Sequence, residues 1–475
     1  MLNKLLINQN STLIFVLSAI NDNEMGIVFT VDDEKKLTGT ITDGDVRRAL
    51  LDGASLDDIA EKYSNKNFTY APEGKTTEEL IEIVEDGKTI IPLVDENMKV
   101  VDYFQYSTNL KVPVAAPLLK GNEFKYLTDA FLSSWISSTG KYITDFENNF
   151  SSFIGTQYGA AVSNGTAALH LGLLALDIGP GDEVIVPDFT FAATINSVLH
   201  AGATPVIVDV EEDSWCIDPQ KIKEAITEKT KAIICVHIFG QPCDMDSITK
   251  LCEDRNLYLI EDCAQAHGAE YNGKKVGSFG DVSCFSFFGN KIITTGEGGI
   301  CLTQKKSIYD KITILRDHGM TKEKRYWHDV VGYNYRMTNL QASIGVAQLE
   351  KIHSILENRS KIEEKYREIF SKVPDLKSQK VDIKNTKKVT WLVCATTENR
   401  EARDAVIASI SKIGIDSRPF FYALSSMPLY KEYIHSNEVS NKISNIGLSF
   451  PTITGLDEEY FKKLEENLTR GLNNL

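Results

Sequence analysis

From Tyr158 onward, apolar runs alternate with helical stretches: YGAAVSN before GTAALHLGLLAL, EVIVPD before TFAATINSVLHAG, then TPVIVDV, KAIICVHIFG, LYLIEDC and VSCFSF. Such near-continuous apolar runs do not suit a sheet with one wet face. They suit strands covered on both sides, with the intervening stretches as the covering helices. This pattern predicts an α/β core on a mostly parallel sheet flanked by helices. At 475 residues the chain is also longer than a single core sustains, so further domains are expected on either side.

Downstream, a long charged helical run to about Lys372 precedes VTWLVCATT and AVIASISKIGI. These predict a smaller α+β domain over 351–475, after a large domain over 121–350. Upstream, Pro113 and Pro117 in VPVAAP mark 109–120 as an extended linker. Residues 1–108 read as a separate α+β unit with an internal repeat. The strand-like GIVFTVD, a turn at 32–36 and LTGTITDGDVRRAL form one round; NFTYAP, the acidic helical run TTEELIEIVEDG and TIIPLVDENMKVVDYF form the other. This unit resembles a pair of CBS domains, the small nucleotide-sensing modules. The resemblance implies that Thr42 and Asp45 in GTITDGD bind the ribose of an adenine or guanine nucleotide. Asp45 would cap the helix opening at VRRAL whether or not a ligand binds. The second round, KVVDYFQ, lacks the matching pattern.

The formal charge of −15 argues against a binder of phosphate backbones. The eight cysteines contain no CxxC pair and no metal-ligand spacing, so no metal and reduced, cytoplasmic thiols are expected. Lys4 precedes the apolar TLIFVLSAI, but no clean small-residue cleavage site follows and a secretory leader is not expected. No apolar run approaches the roughly 20 residues that span a bilayer.

Three stretches carry chemistry. In SNGTAALHL a strand gives way at Gly165 to a helix whose first unpaired amides form an anion site. In LIEDCAQAHG, Glu261 and Asp262 end an apolar strand, the edge of an open α/β sheet where ligands bind. In CFSFFGNKIITTGEGG, Ser286 ends another strand and Lys291 follows in a setting that desolvates an amine, lowers its pKa and frees it as a nucleophile. TTGEGG fits neither a dinucleotide fingerprint nor a P-loop. In this order the three meet the needs of pyridoxal 5′-phosphate (PLP): amides and hydroxyls for its phosphate, an acid for its ring nitrogen, an amine for its aldehyde.

With PDFTFAATINSV, RDHGM, GYNYRMTNLQAS and RPFFY, these motifs make the chain from about Val112 resemble the DegT/DnrJ/EryC1/StrS family of fold type I, PLP-dependent sugar aminotransferases. The resemblance implies that Lys291 bonds the cofactor aldehyde and Asp262 pairs with the ring nitrogen. Gln265 would bond the ring hydroxyl, and Phe191 would stack on the ring. Thr166, Ala167 and Ser286 would hold the phosphate, joined by Asn334 from a neighbouring subunit of a homodimer or larger oligomer. It further implies L-glutamate as amino donor and a nucleotide-linked 4-keto-6-deoxy sugar as acceptor, GDP-linked before UDP- or dTDP-linked, in surface polysaccharide synthesis. Arg418 or Arg325 would meet the diphosphate. His267 and His318 are expected to be structural. Dehydratases of the same family carry a histidine in place of the lysine, so Lys291 favours amino transfer. A silent, nucleotide-responsive regulator is the opposing reading, and the retained Lys291, Asp262 and Ser286 count against it.

Overall fold

A computed structural model describes residues 2–23, 25–75, 79–80, 83, 90–105, 112–321, 324, 326–373 and 375–473. Arg325 and most of the acidic stretch 76–87 lie outside the described residues. The chain divides into two compact units, Met1–Leu110 and Lys111–Leu475.

The first unit is built twice over. Leu6–Asn8 runs parallel to Ile27–Val31, which forms a hairpin with Leu37–Thr42; Ala71–Pro72 runs parallel to Ile90–Val94, which forms a hairpin with Val100–Gln105. Even the turns repeat. Asp32 Oδ1 accepts the amides of Glu34 and Lys36, and Asp95 Oδ1 accepts those of Asn97 and Lys99. Lys35 and Met98 then take the same left-handed conformation, at φ 64° and 61°. The hairpins bond reciprocally, Leu37 N–H to Met98 O and Val100 N–H to Lys35 O, and share a core of Leu5, Phe29, Val31, Leu37, Ile90, Val94 and Val100. Thr42 and Asp45 satisfy one another. The Thr42 hydroxyl accepts the Asp45 amide at 3.2 Å, while Asp45 Oδ2 accepts the Thr42 amide at 2.8 Å, a reciprocal cap on helix Asp43–Leu51.

In the second unit seven strands form one sheet in the spatial order Tyr158–Val162, Gly299–Thr303, Val282–Ser286, Tyr258–Asp262, Thr230–Val236, Glu183–Pro187, Thr204–Val208. Gly299–Thr303 alone runs against the other six, pairing antiparallel with a neighbour on each side. It is the one strand not expected from the apolar alternation, because GGICLT opens on glycines and follows a glycine-rich turn instead of a helix. Its first residue must be glycine: a Cβ there would lie 2.5 Å from the Asn164 carbonyl oxygen. Buried side chains fill both faces of the sheet, which is why its strands carry no polar alternation.

The smaller sheet, Lys377–Ser378, Val393–Thr396, Gly447–Phe450 and Arg418–Pro419, is antiparallel and packs with helices Ile352–Phe370, Arg400–Ser411 and Glu458–Asn473. The described part of the expected linker is tied to this second unit. Val112 N–H bonds Gly414 O, Asp416 N–H bonds Val112 O, and Thr452 N–H bonds Val114 O. All eight cysteines are unpaired and buried. Among the described residues no helix is long and apolar enough to cross a membrane.

Candidate active site

The parallel strands deliver their carboxyl ends to one side of the sheet, where a cavity of about 720 Å³ opens. Thr166, Ala167, Phe191, Asp262, Gln265, Ser286 and Lys291 all line it. Asn334 does not line its own chain's cavity; its side-chain oxygen accepts from Arg336.

Helix Gly165–Ala175 aims its N-terminus into the cavity. Asn164 caps it, with Oδ1 accepting the Ala167 amide at 2.8 Å. The amides of Gly165 and Thr166 have no acceptor within the helix and carry the positive end of its dipole. Ala167, expected as a phosphate holder beside Thr166, lines the cavity with its amide committed to Asn164. Ser286, from the strand two places away, closes the cradle. A Cβ on Gly165 would meet Ser286 Cβ at 2.8 Å. Overpacking of this kind costs about 1–3 kcal/mol, which, falling on the phosphate-bound cradle, is roughly five- to 150-fold in a dissociation constant. Gly165→Ala is therefore expected to weaken PLP binding by about that factor, measured by absorbance titration of the stripped protein; an unchanged affinity would remove this helix start from the site.

Lys291 follows a tight turn in which its amide bonds Phe288 O at 2.9 Å. Its amine lies 4.1 Å from the centroid of the Trp391 ring. Burial lowers its pKa to about 8, against an opposing pull from Asp262. Asp262 is buried at its strand end and accepts the Thr194 hydroxyl at 2.9 Å and the Ala264 amide at 3.1 Å. Burial pushes its carboxyl above the ordinary aspartate range; those hydrogen bonds and the Lys291 charge oppose the push.

Beneath Asp262 lies a brace invisible in the sequence. Glu261, fully buried, accepts the amides of Gly277, Phe279 and Gly280 at 2.7–2.8 Å and faces His237 Nε2 at 3.2 Å. His237 Nδ1 accepts the Cys243 amide, so Nε2 carries the proton and donates to Glu261. The ligand atoms of His237, Glu261 and Cys263 lie within 4.8 Å of one another. The hydrogen bonds on Glu261 and His237 make this cluster a structural brace for the strand end.

Gln265 Oε1 accepts the amide of Phe239 at 2.7 Å. A backbone N–H can only donate, so the orientation is fixed and Nε2 is left as the available donor. Phe191 is 58% exposed, with its ring 5.8 Å from that of Phe421; it is a wall of the cavity and not core. His267 bonds the Ser286 carbonyl through Nε2 at 2.9 Å, and burial drives its pKa to about 3, with Lys291 adding to the effect. It is a neutral prop for Ser286. His318 stands in the loop before Asn334, 3.2 Å from Arg336. Arg418 lines the cavity, 3.9 Å from Asp416. Asn164, Thr194 and Trp391 join the site unannounced by sequence, apart from the cap signal in SNGT.

The donor set is an amine of lowered pKa, a buried carboxylate, a helix start with a facing serine, an amide donor and an aromatic wall. It fits the aldehyde, ring nitrogen, phosphate, hydroxyl and ring face of PLP respectively. Residues 117–469 match the DegT/DnrJ/EryC1/StrS aminotransferase family. The chain is 43% identical over 348 residues to GDP-perosamine synthase of Escherichia coli O157:H7, covering 73% of this chain and 95% of that one. Against GDP-perosamine synthase of Vibrio cholerae it is 45% identical over 357 residues, covering 74% and 97%. A Streptococcus pneumoniae protein described as a sugar aminotransferase and solved in its PLP form superposes with a TM-score of 0.72 at 29% identity, covering 77% of this chain and 99% of that one. With this cavity and these relatives, the chain belongs to the DegT/DnrJ/EryC1/StrS aminotransferase family, whose PLP-dependent sugar-aminotransferase chemistry it carries.

Proposed function

We propose that the protein moves the amino group of L-glutamate to the 4-keto carbon of a GDP-linked 4-keto-6-deoxy sugar, giving a 4-amino sugar for surface polysaccharide. The observation that carries this reading is one cavity holding Lys291, Asp262 and the Gly165 helix start, in a chain 43–45% identical to GDP-perosamine synthases over nearly their full length.

Bound PLP supplies an electron sink for the carbanion formed when an α-proton leaves the amino donor. Everything else falls to the chain. The amides of Gly165 and Thr166 and the Ser286 hydroxyl hold the phosphate, with Asn334 arriving from the neighbouring subunit of a homodimer. Asp262 keeps the ring nitrogen protonated. Gln265 Nε2 donates to the ring oxygen and Phe191 covers a ring face. Lys291, with its pKa near 8, is the general base that takes the α-proton of glutamate and returns a proton at C4 of the sugar in the second half-reaction. Arg418 is the bidentate donor for the diphosphate. The repeated N-terminal unit is read as a CBS-like pair that senses a nucleotide at Thr42 and Asp45, whose mutual bonds a ribose would have to replace. Dependence of turnover on added ATP or GTP tests this.

The visible absorbance of bound PLP is expected to bleach on addition of glutamate and to return with GDP-4-keto-6-deoxymannose. UDP- and dTDP-linked 4-keto sugars are expected to restore it at least about tenfold less efficiently. Recovery with a UDP- or dTDP-linked sugar but not the GDP-linked one would replace the acceptor; no bleaching with glutamate would replace the donor.

A further inference from the structure

Trp391 lies in the segment that enters the smaller sheet at Val393–Thr396, yet its indole grips the lysine turn at two points. Nε1–H donates to the Asn290 carbonyl at 2.8 Å, fixing the residue before the lysine, and the ring face lies under the Lys291 amine at 4.1 Å. The indole is held in turn. The backbone carbonyl of Trp391 accepts from the buried Arg359 guanidinium at 2.7 Å, and the indole ring stacks on Phe239 and Phe421 at interplanar angles of 18° and 20°. Two residues back, the Val389 carbonyl fills the space a Cβ would need at Gly240, 1.9 Å away, so that segment sits flush against the large domain. Trp391 is only 4% exposed.

A base that takes a proton from carbon becomes an ammonium and must keep that proton until it is delivered. In a desolvated cavity the ammonium is the disfavoured form. The charged and imidazole side chains of the cavity wall are Asp262 at the strand end, Glu297, Arg418, His170 and His200, with His267 behind the amine neutral. Of these only the Asp262 charge bears on the amine, and it is committed to the ring nitrogen when PLP is bound, which leaves the π-face of Trp391 as the surface that favours a cation without competing for that pairing.

We propose that Trp391 is a positioning residue that berths the Lys291 amine in its proton-carrying form while it is not bonded to the cofactor. This rests on the reading of Lys291 as the catalytic lysine. A berth of this kind raises the proton affinity of Lys291 against the desolvation that lowers it. Trp391→Leu keeps an apolar wall and removes the π-face; Trp391→Phe keeps a π-face and removes the N–H.

The test is acetylation of Lys291 by acetic anhydride in the full-length protein stripped of PLP, followed by mass spectrometry across pH, with circular dichroism to establish that each variant is folded. The midpoint is expected to fall by about one pH unit in the leucine variant and by a few tenths in the phenylalanine variant. A second readout is the acid limb of the glutamate half-reaction in the PLP-loaded enzyme, which should move to lower pH in the leucine variant and largely return in the phenylalanine variant. A leucine midpoint equal to or above the wild-type value overturns the berth. That result would leave the catalytic role of Lys291 standing, because that role is decided separately by replacing the lysine.

Discussion

Lys291→Ala is expected to lower amino transfer by at least about 10⁴-fold, the combined loss of a covalent anchor and a general base, while the protein stays folded and still binds PLP. The lysine sets up this separation itself. Its amine makes a π-face contact and, among the described residues, no hydrogen bond, and burial already holds its pKa near 8. Removing it therefore takes an ill-solvated cation from the cavity and leaves the Gly165 helix start and Ser286 untouched. Two effects should accompany the lost rate. The stripped variant should melt within a few degrees of wild type, and PLP should dialyse out more readily because it is held without a covalent bond. Turnover within about tenfold of wild type would displace Lys291 from the mechanism, and a variant that fails to bind PLP at all would show the cradle to be weaker than its geometry implies.

The position of this lysine was legible because strand ends are legible. Apolar runs such as LYLIEDC and VSCFSF fix where the sheet stops, and in an open α/β sheet the polar residues just past that point meet in one crevice. Asp262, Ser286 and Lys291 follow from that rule, and Gly165 from helix-start chemistry. What stayed hidden depends on contacts between residues far apart in the chain. Thr194 reaches Asp262 across 68 positions and Trp391 reaches Asn290 across 101, with no local pattern to announce either. At the helix start, Ala167 lines the cavity while its amide is taken by the Asn164 side chain, a bond across three positions. In the N-terminal unit the repeat was visible in strand runs, whereas the matched Asp32 and Asp95 turns that prove it lie in side-chain bonds. Thr42 and Asp45 show a local rule satisfied completely: a reciprocal helix cap produces the same residue pattern as a ribose site.

Asp262→Asn separates charge from shape at a buried acid that lines the cavity. The amide is isosteric, can accept from Ala264, and can meet Thr194 once that hydroxyl turns toward Thr190, which lies 3.0 Å from it. What it lacks is the negative charge that keeps the ring nitrogen protonated. Amino transfer is expected to fall by about 10³-fold, the order seen when one preorganised electrostatic partner is lost, with little change in phosphate binding. Stability should move the other way. Burial raises the carboxyl pKa above the ordinary aspartate range, so the folded state of the stripped protein holds this proton more tightly than the unfolded chain does. Its contribution to stability is full at low pH and is lost as pH rises through the raised value, leaving an unfavourable buried charge near neutrality. The asparagine variant is free of that penalty. Stripped of PLP, it should melt higher than wild type near neutral pH, with the gap closing as pH falls into the ordinary aspartate range. In the PLP-loaded protein the order should reverse, because the ring nitrogen gives the carboxylate its partner. A loaded asparagine variant as stable and as active as wild type would remove Asp262 from that pairing, whereas a fall in activity without the stability crossover would mean that the burial cost is relieved by some other group.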